Sequence, residues 1–335
     1  MRLASALVLA PLVACGASDS GRGPGHAPVG TTPGPAPARA LPVASAASPT
    51  APALPHAKGK LTVAEARTYM VELLNRDRAT QGLPPLELDL GAPTRAGQAH
   101  AEDMARLGYL GHWGSDGSVP EERHTREGGA DMVLENASCF TDERPRTLDP
   151  APLIDRDRVE QAERMFFDEV PPNDGHRKNI LKPAHNRIGI GIAQPIATET
   201  ELPVPCFSQE LVDHHGTYDA VPASARVGDP VRVAGKLAPP WEVTAVGLAR
   251  IEPPKALAPS VLNQRRSYPV PRPYELFWKR GFVTRIPLEI GPGGAFSIAT
   301  TLDDKRQPGL YEISVWGKVP GGEHVMLGLR TIRVD

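Results

Sequence analysis

Long apolar runs are missing from this chain. None reaches the ~18 residues of a membrane-spanning helix, which excludes a transmembrane helix. An excess of either charge is missing too. Lysine plus arginine is 37 and aspartate plus glutamate 39, a formal net charge of −2, so no broad basic surface is available for a nucleic-acid backbone. Cysteine is scarce: three residues with no CxxC pair, which argues against a thiolate metal site. HExxH, GxSxG, GxxxxGK and GxGxxG, the common signatures of metal, nucleophile, phosphate and dinucleotide sites, are all absent. Proline, by contrast, is abundant at 37 of 335 residues, more than double a typical usage near ~5%. So much proline cannot sit inside regular elements and predicts a linker and many turns. The length suits two domains of roughly 100–200 residues each. The 40% hydrophobic and 23% charged fractions suit a globular chain.

The N-terminus carries one positive charge at Arg2, then an apolar stretch from Leu3 to Val13 that leads into Cys15. A short apolar segment so flanked reads as an export signal over residues 1–14. The tetrad Leu12-Val13-Ala14-Cys15 resembles the lipobox of bacterial lipoproteins, which implies that Cys15 is lipidated and becomes the mature N-terminus. Ordinary secretion with cleavage near Ala14 is the alternative. Gly16 rather than aspartate follows Cys15, so the inner-membrane retention signal is missing and the outer membrane is the expected location. Residues 15–59 are mostly Pro, Ala, Gly, Ser and Thr, a tether that cannot offset its ordering entropy and holds a folded head off the lipid surface. Cys139 and Cys206 remain, and in an oxidising compartment they are expected to pair; two buried thiols are the alternative.

Folded structure is expected from Thr62, where Thr62 and Glu65 form a capping box. Val63, Ala66, Met70, Leu73 and Leu74 then recur at helical spacing, and Gly82 stops the helix. A second helix is expected from about Asp89 to Leu107 and a third from about Asp157 to Glu169, followed by strands at Arg187–Ala193 and Cys206–Val212. Helices with a few short antiparallel strands give an α+β layer sandwich over residues 60–216. After Gly216, VRVAG, EVTAVGLARI, VTRIPLEI, AFSIATTL, GLYEISVWGKV and EHVMLGLRTIRVD read as short strands between Gly/Pro turns. They predict an antiparallel, Ig-like β-sandwich over residues 217–335. The Pro-rich stretch from about Ala256 to Lys279 reads as a long loop or insertion.

Four residues of the first domain could carry chemistry: His112 in LGHWGSDG, Glu135 in LENAS, Glu169 in FFDE and His176 in GHRKNIL. Two imidazoles and two carboxylates suit a divalent metal such as zinc. Their spacing alone does not bring them together, and a set of loop residues with a helix-terminal glutamate is the plain alternative.

The ordered blocks LLNRDRATQGLPPLELD, AGQAHAEDMA, GHWGSDG, LENAS and GHRKNILKPAHNRIGIGIA resemble bacterial members of the CAP superfamily (SCP domain). That superfamily comprises the cysteine-rich secretory, antigen 5 and pathogenesis-related proteins, and the resemblance covers about Leu61 to Val212. It implies an α-β-α sandwich with a central antiparallel sheet and a large cleft. A tetrad lines that cleft, here matched by His112, Glu135, Glu169 and His176, and in many members the two histidines hold zinc. Phe166 stands where eukaryotic members place the tryptophan of a Trp-x-x-Glu pattern. CFTDERPRTLDPAPLID, between the Glu-Asn pair and the third helix, departs from the pattern and could alter or cover the cleft rim. Two imidazoles alone make an open site that water or a carboxylate completes, with nearby glutamates fixing the imidazole tautomers.

Other candidates have simpler readings. His214 and His215 are adjacent and diverge on an extended chain, a solvated strand end. His100 reads as a satisfied core histidine, Arg123 and His124 as loop anchors, and Ser208 beside Glu210 as an ordinary strand serine. The tether and resemblance together imply a surface-displayed binding protein whose cleft takes a small lipid, glycan or peptide. The alternative is a metal-dependent hydrolase of peptides or esters, with zinc between His112 and His176 and Glu135 or Glu169 as general base. Against it stands the three-ligand habit of catalytic zinc. A structural envelope protein with a relic cleft is the third reading.

Overall fold

The computed structural model describes residues 13–16, 59–265 and 267–335. Most of the expected leader and tether lies outside these residues. The first half contains β1 (Val13–Gly16), β2 (Lys60–Leu61), α1 (Val63–Thr80), β3 (Glu87–Leu88), α2 (Ala92–Leu107), α3 (Pro120–Arg126), β4 (Met132–Cys139), β5 (Ile154–Asp155), α4 (Arg156–Phe167), α5 (Gly175–Ile180), β6 (Arg187–Ala193) and β7 (Cys206–Asp213). The second half contains β8 (Gly216–Tyr218), β9 (Ser224–Ala225), β10 (Pro230–Leu237), β11 (Glu242–Ile251), α6 (Pro259–Leu262), β12 (Glu275–Trp278), β13 (Glu289–Ile290), β14 (Ala295–Thr301), β15 (Gly309–Lys318) and β16 (Val325–Val334).

Local chemistry explains where the helices start and stop. At α1 the Thr62 hydroxyl accepts the Glu65 N–H at 3.3 Å while the Glu65 carboxylate accepts the Thr62 N–H at 2.8 Å, the expected capping box. The second helix begins at Ala92 rather than Asp89, because the Asp89 carboxylate accepts the Gly91 N–H at 2.7 Å and bends the chain into a turn first. Its end at Gly108 takes the left-handed conformation, φ 69°. The third helix stops at Phe167, two residues before Glu169, so Glu169 lies outside the helix rather than at its tip.

In the first domain the sheet order is β1-β4-β7-β6-β3. Strands β4, β7 and β6 are antiparallel, whereas the short edge strand β3 runs parallel to β6, a departure from the fully antiparallel sheet expected. One face packs on α2, the other on α1 and α4 through Leu74, Phe166, Ile190 and Phe207. The IGIG run of β6 has a steric reason: a Cβ on Gly191 would stand 2.0 Å from the Gly97 carbonyl oxygen of α2. Helix and strand meet backbone to backbone there.

The second domain is a two-sheet sandwich, β13-β14-β10-β8 facing β12-β11-β15-β16-β9. Its interior is a single apolar cluster that includes Val233, Val246, Phe277, Phe296, Ile313 and Ile332. Two expectations need correction. The strand expected over VTRIPLEI shrinks to Glu289–Ile290, because Pro287 interrupts it. The stretch 256–279 is not wholly loop: it contains α6 and strand β12.

The two domains are joined tightly. The Leu329 N–H of β16 donates to Ala130 O at 3.1 Å and Arg333 pairs with Glu122 at 2.7 Å. Met132 and Leu134 share an apolar cluster with Ala245, Val270, Trp316 and Leu329. Glu121 and Glu312 are both buried at this joint, and the Tyr268 hydroxyl donates to Glu121. Burial pushes both carboxyls upward in pKa.

Candidate functional site

Strand β4 carries Glu135 and Asn136 in succession, so their side chains point to opposite faces of the sheet. Each gathers a separate set of partners.

On the α2 face, Glu135 is fully buried opposite Glu210 of β7. His112, from the loop after α2, sets its Nδ1 2.9 Å from Glu135 Oε1. Arg123 of α3 donates from Nη2 to Glu135 Oε2 at 2.6 Å, and from Nη1 to the carbonyls of His112 and Ser118 at 3.0 Å. His100 donates from Nε2 to Gly111 O at 2.8 Å and lies 3.5 Å from Glu135. Burial alone would raise the Glu135 carboxyl, but Arg123, His100 and His112 hold it well below the usual glutamate range. Burial lowers His100 to about 4, which keeps it neutral at pH 7. Glu210 goes the other way: burial and the Glu135 charge push it well above its ordinary range, and Ser208 Oγ donates to it at 2.9 Å. The two facing carboxyls are thus pushed in opposite directions, Glu135 toward its ionised form and Glu210 toward its protonated one.

On the other face, Asn136 Nδ2 donates to Gln209 Oε1 at 3.0 Å and to the His176 carbonyl at 3.3 Å. Asn179 Nδ2 donates to Asn136 Oδ1 at 2.9 Å, which ties α5 to β4. Glu169 accepts both the His176 backbone N–H, at 2.8 Å, and its Nδ1, at 2.5 Å. Phe166, in the position expected for tryptophan, packs on the His176 ring with centroids 5.0 Å apart.

The structure therefore places the four sequence-derived residues as two histidine–carboxylate pairs, His112–Glu135 and His176–Glu169, linked through adjacent positions of β4. In each, a carboxylate on Nδ1 assigns that nitrogen the proton, leaving Nε2 as the lone-pair nitrogen. Both Nε2 atoms are buried and have no hydrogen-bond partner among the described residues. Each Nε2 is a lone-pair nitrogen of the kind that ligates a cation. Among the described residues no group of three or more His, Cys, Asp or Glu is arranged to hold a metal. The two pairs belong to opposite faces of β4, whose outer edge is not open. Strand β1 runs along that edge, with Gly16 opposite Asn136 and Cys15 opposite Ala137, and packs against α5. Residues read as the end of a leader and the start of a tether thus form a strand; the Cys15 side chain is outside what the structure describes. Two surface grooves lie elsewhere, one of about 380 Å³ between α1 and α4 and one of about 410 Å³ on the β10–β14 sheet.

Other expectations resolve as follows. Cys139 and Cys206 form a disulfide between β4 and β7. His214 and His215 are not a solvated strand end: His214 pairs with Asp131 at 3.0 Å, and His215 donates to Ala184 O and packs on Trp241. Loop anchoring falls to Arg123, not His124, which is buried against Gly129. The departure from pattern after Cys139 packs on the C-terminal end of α2, where Glu143 and Arg146 donate backbone N–H groups to Gly108 and Arg106 at 2.8 Å. The facing of Glu210 on Glu135 and the charge of Arg123 on Glu135 escape the sequence reading. The available signal was three successive polar residues, Ser208, Gln209 and Glu210, inside an otherwise apolar strand.

Comparison with known proteins bears on the first domain. A search of the curated proteins finds no match. Among solved structures, murine CRIg is similar at 12% identity, covering 36% of this chain and 98% of that chain, with a TM-score of 0.24. A chitin binding domain from Burkholderia pseudomallei is similar at 11% identity, covering 34% of this chain and 57% of that chain, with a TM-score of 0.22. At such scores neither bears on fold or function. Residues 71–195, which span His112 through the IGIG strand, match the model of the cysteine-rich secretory protein family, CAP, and by that match the first domain is a CAP domain.

Proposed function

We propose that this is an exported binding protein, lipid-anchored to the cell envelope at the outer membrane, whose His112/His176 site holds a divalent cation such as zinc and takes a small ligand at the edge of β4. The observation that carries this reading is the matched state of the two histidines: Nδ1 on a carboxylate, Nε2 buried without a partner among the described residues. When bound, zinc supplies a Lewis-acidic point that can anchor a ligand oxygen. Of lipid, glycan and peptide, β1 favours an extended peptide, since that edge already accepts an antiparallel strand.

Hydrolysis is less well supported. Glu135 is engaged by His112 and Arg123, and both Glu169 oxygens by His176, so neither carboxylate stands ready as a general base.

Metal content of the purified protein, measured by mass spectrometry after zinc titration and dialysis, tests the site. About one zinc per chain is expected, lost in the His112→Ala/His176→Ala double variant, with Glu169→Gln binding about 10–100-fold more weakly. No zinc in the parent, or equal zinc in the double variant, sinks the assignment. The anchor has its own test: Cys15→Ala is expected to move the protein from the membrane to the soluble fraction, and unchanged fractionation removes the lipoprotein reading.

A further inference from the structure

The loop that carries His112 is gripped by the other domain. Between β11 and β12, residues 255–265 and Tyr268 lie against residues 108–121. Asn263 Oδ1 accepts the Leu110 N–H at 2.9 Å, and the Leu257 N–H donates to Ser115 O at 2.8 Å. These bonds bracket His112, one two residues before it and one three residues after. Tyr268 stands edge-on to Trp113 with ring centroids 4.9 Å apart, while its hydroxyl reaches Glu121. The Arg265 guanidinium lies 5.8 Å from the centre of the same Trp113 ring. Leu262 of α6 is fully buried, in one cluster with Ala101, Met104, Tyr109 and Leu110 of the first domain.

The residues around His112 are shaped to receive this insertion. A Cβ on Gly111 would stand 3.2 Å from the carbonyl oxygens of both Leu262 and Arg265. One on Gly117, at φ +82°, would stand 2.2 Å from Lys255 O. Larger residues at either position would push the insertion away. By contrast His176 is held by its own domain, through Glu169, Phe166 and Asn136.

We propose that the insertion between β11 and β12 is the positioning element of His112: Asn263, Leu262 and Tyr268 of the second domain fix loop 108–121, so the site of the first domain is completed by the second. This rests on His112 being a site residue, as the proposed function has it. A displacement of the sandwich would then reach His112 and leave His176 in place, making the two halves of the site separately addressable.

The test needs no metal. In protein carrying ¹⁵N-histidine, the His112 ring has its proton on Nδ1 beside Glu135, so its two ring nitrogens resonate far apart. In Asn263→Ala those two signals are expected to broaden or move toward their mean, while the His176 signals stay where they are. Ile298→Ala, a cavity in the sandwich core, controls for general weakening and is expected to leave His112 unmoved. Should Asn263→Ala fail to fold, Tyr268→Phe, which removes one hydroxyl, is read in the same way. Identical His112 signals in variant and parent overturn the proposal, as does an equal disturbance of His112 and His176. Because the readout is the ring itself, a protein that binds no zinc still decides the question, and the two readings fail separately.

Discussion

Replacing Arg123 with methionine is expected to lower the unfolding free energy by about 3–5 kcal/mol, the usual result of removing one partner from a buried ion pair. Methionine keeps the aliphatic stem and loses the guanidinium, so the charge and its hydrogen bonds are the main loss. What remains is the Glu135 carboxylate, fully buried, with its closest positive partner gone. Two carbonyls, of His112 and Ser118, lose their donors at the same time. Arg123→Lys restores a charge but not the planar fork that reaches three acceptors, so it should recover only part of the loss. A pH profile separates the charge effect from the packing effect. In the parent, Glu135 titrates well below an unfolded glutamate. Its contribution is therefore present above an unfolded value near ~4.3 and lost as pH falls through the native value. In Arg123→Met that depression shrinks, and the acid limb of the stability curve should begin at higher pH. Urea titrations from pH 3 to 7 check both points. A loss under about 1 kcal/mol with an unmoved acid limb would show that Arg123 is not what holds Glu135 ionised.

The disulfide gives the second large effect. Cys139 and Cys206 are 67 residues apart, and closing a loop of that length removes about 4 kcal/mol of chain entropy from the unfolded state. Cys139→Ala/Cys206→Ala is therefore expected to lose up to about 4 kcal/mol, or roughly 10 °C in Tm at ~2–4 °C per kcal/mol. The bond ties the end of β4 to the start of β7 at the base of the α2-facing cluster, so its loss should loosen the strand that carries Glu135. Differential scanning calorimetry of parent and variant, each with and without reductant, reads this directly. A Tm identical in all four samples would mean that the bond contributes nothing, either because it is not formed in solution or because its strain offsets its entropy.

Much of the first domain was legible in the sequence because its signals are local. A capping box at Thr62 and Glu65 needs only four residues, and the Ile-Gly alternation of β6 states its own periodicity. Helix ends were read less accurately, since Asp89 turns the chain before α2 and α4 already closes at its C-cap, Asp168. At the site, motif order pointed to His112, Glu135, Glu169 and His176, which the structure gathers as two pairs. What it could not find was Glu210, which matters only because β7 sets it opposite Glu135, a pairing 75 residues apart in sequence. The partition of the four residues into two pairs on opposite faces was equally hidden, for it depends on β4 alternation and on which helix covers which face. Least legible was the joint between domains. Pro-rich composition marked 256–279 as loop, and nothing local in ALAPSVLNQ announces that Leu262 belongs to another domain's core.

That last placement has a consequence for how the chain comes to be folded. An exported chain emerges from the membrane N-terminus first, and early domains ordinarily close before later ones emerge. Here the cluster under α2 is one side chain short until Leu262 arrives, and the loop around His112 is without its clasp until Asn263 and Tyr268 follow. For the interval between the first domain and those residues, the first domain exists with an apolar notch open beside its histidine loop. A nascent chain in that state is a substrate for chaperones and proteases, and its exposure ends only when the sandwich assembles. The late-made segment thereby acts as a checkpoint: an unfinished chain has an unfinished site.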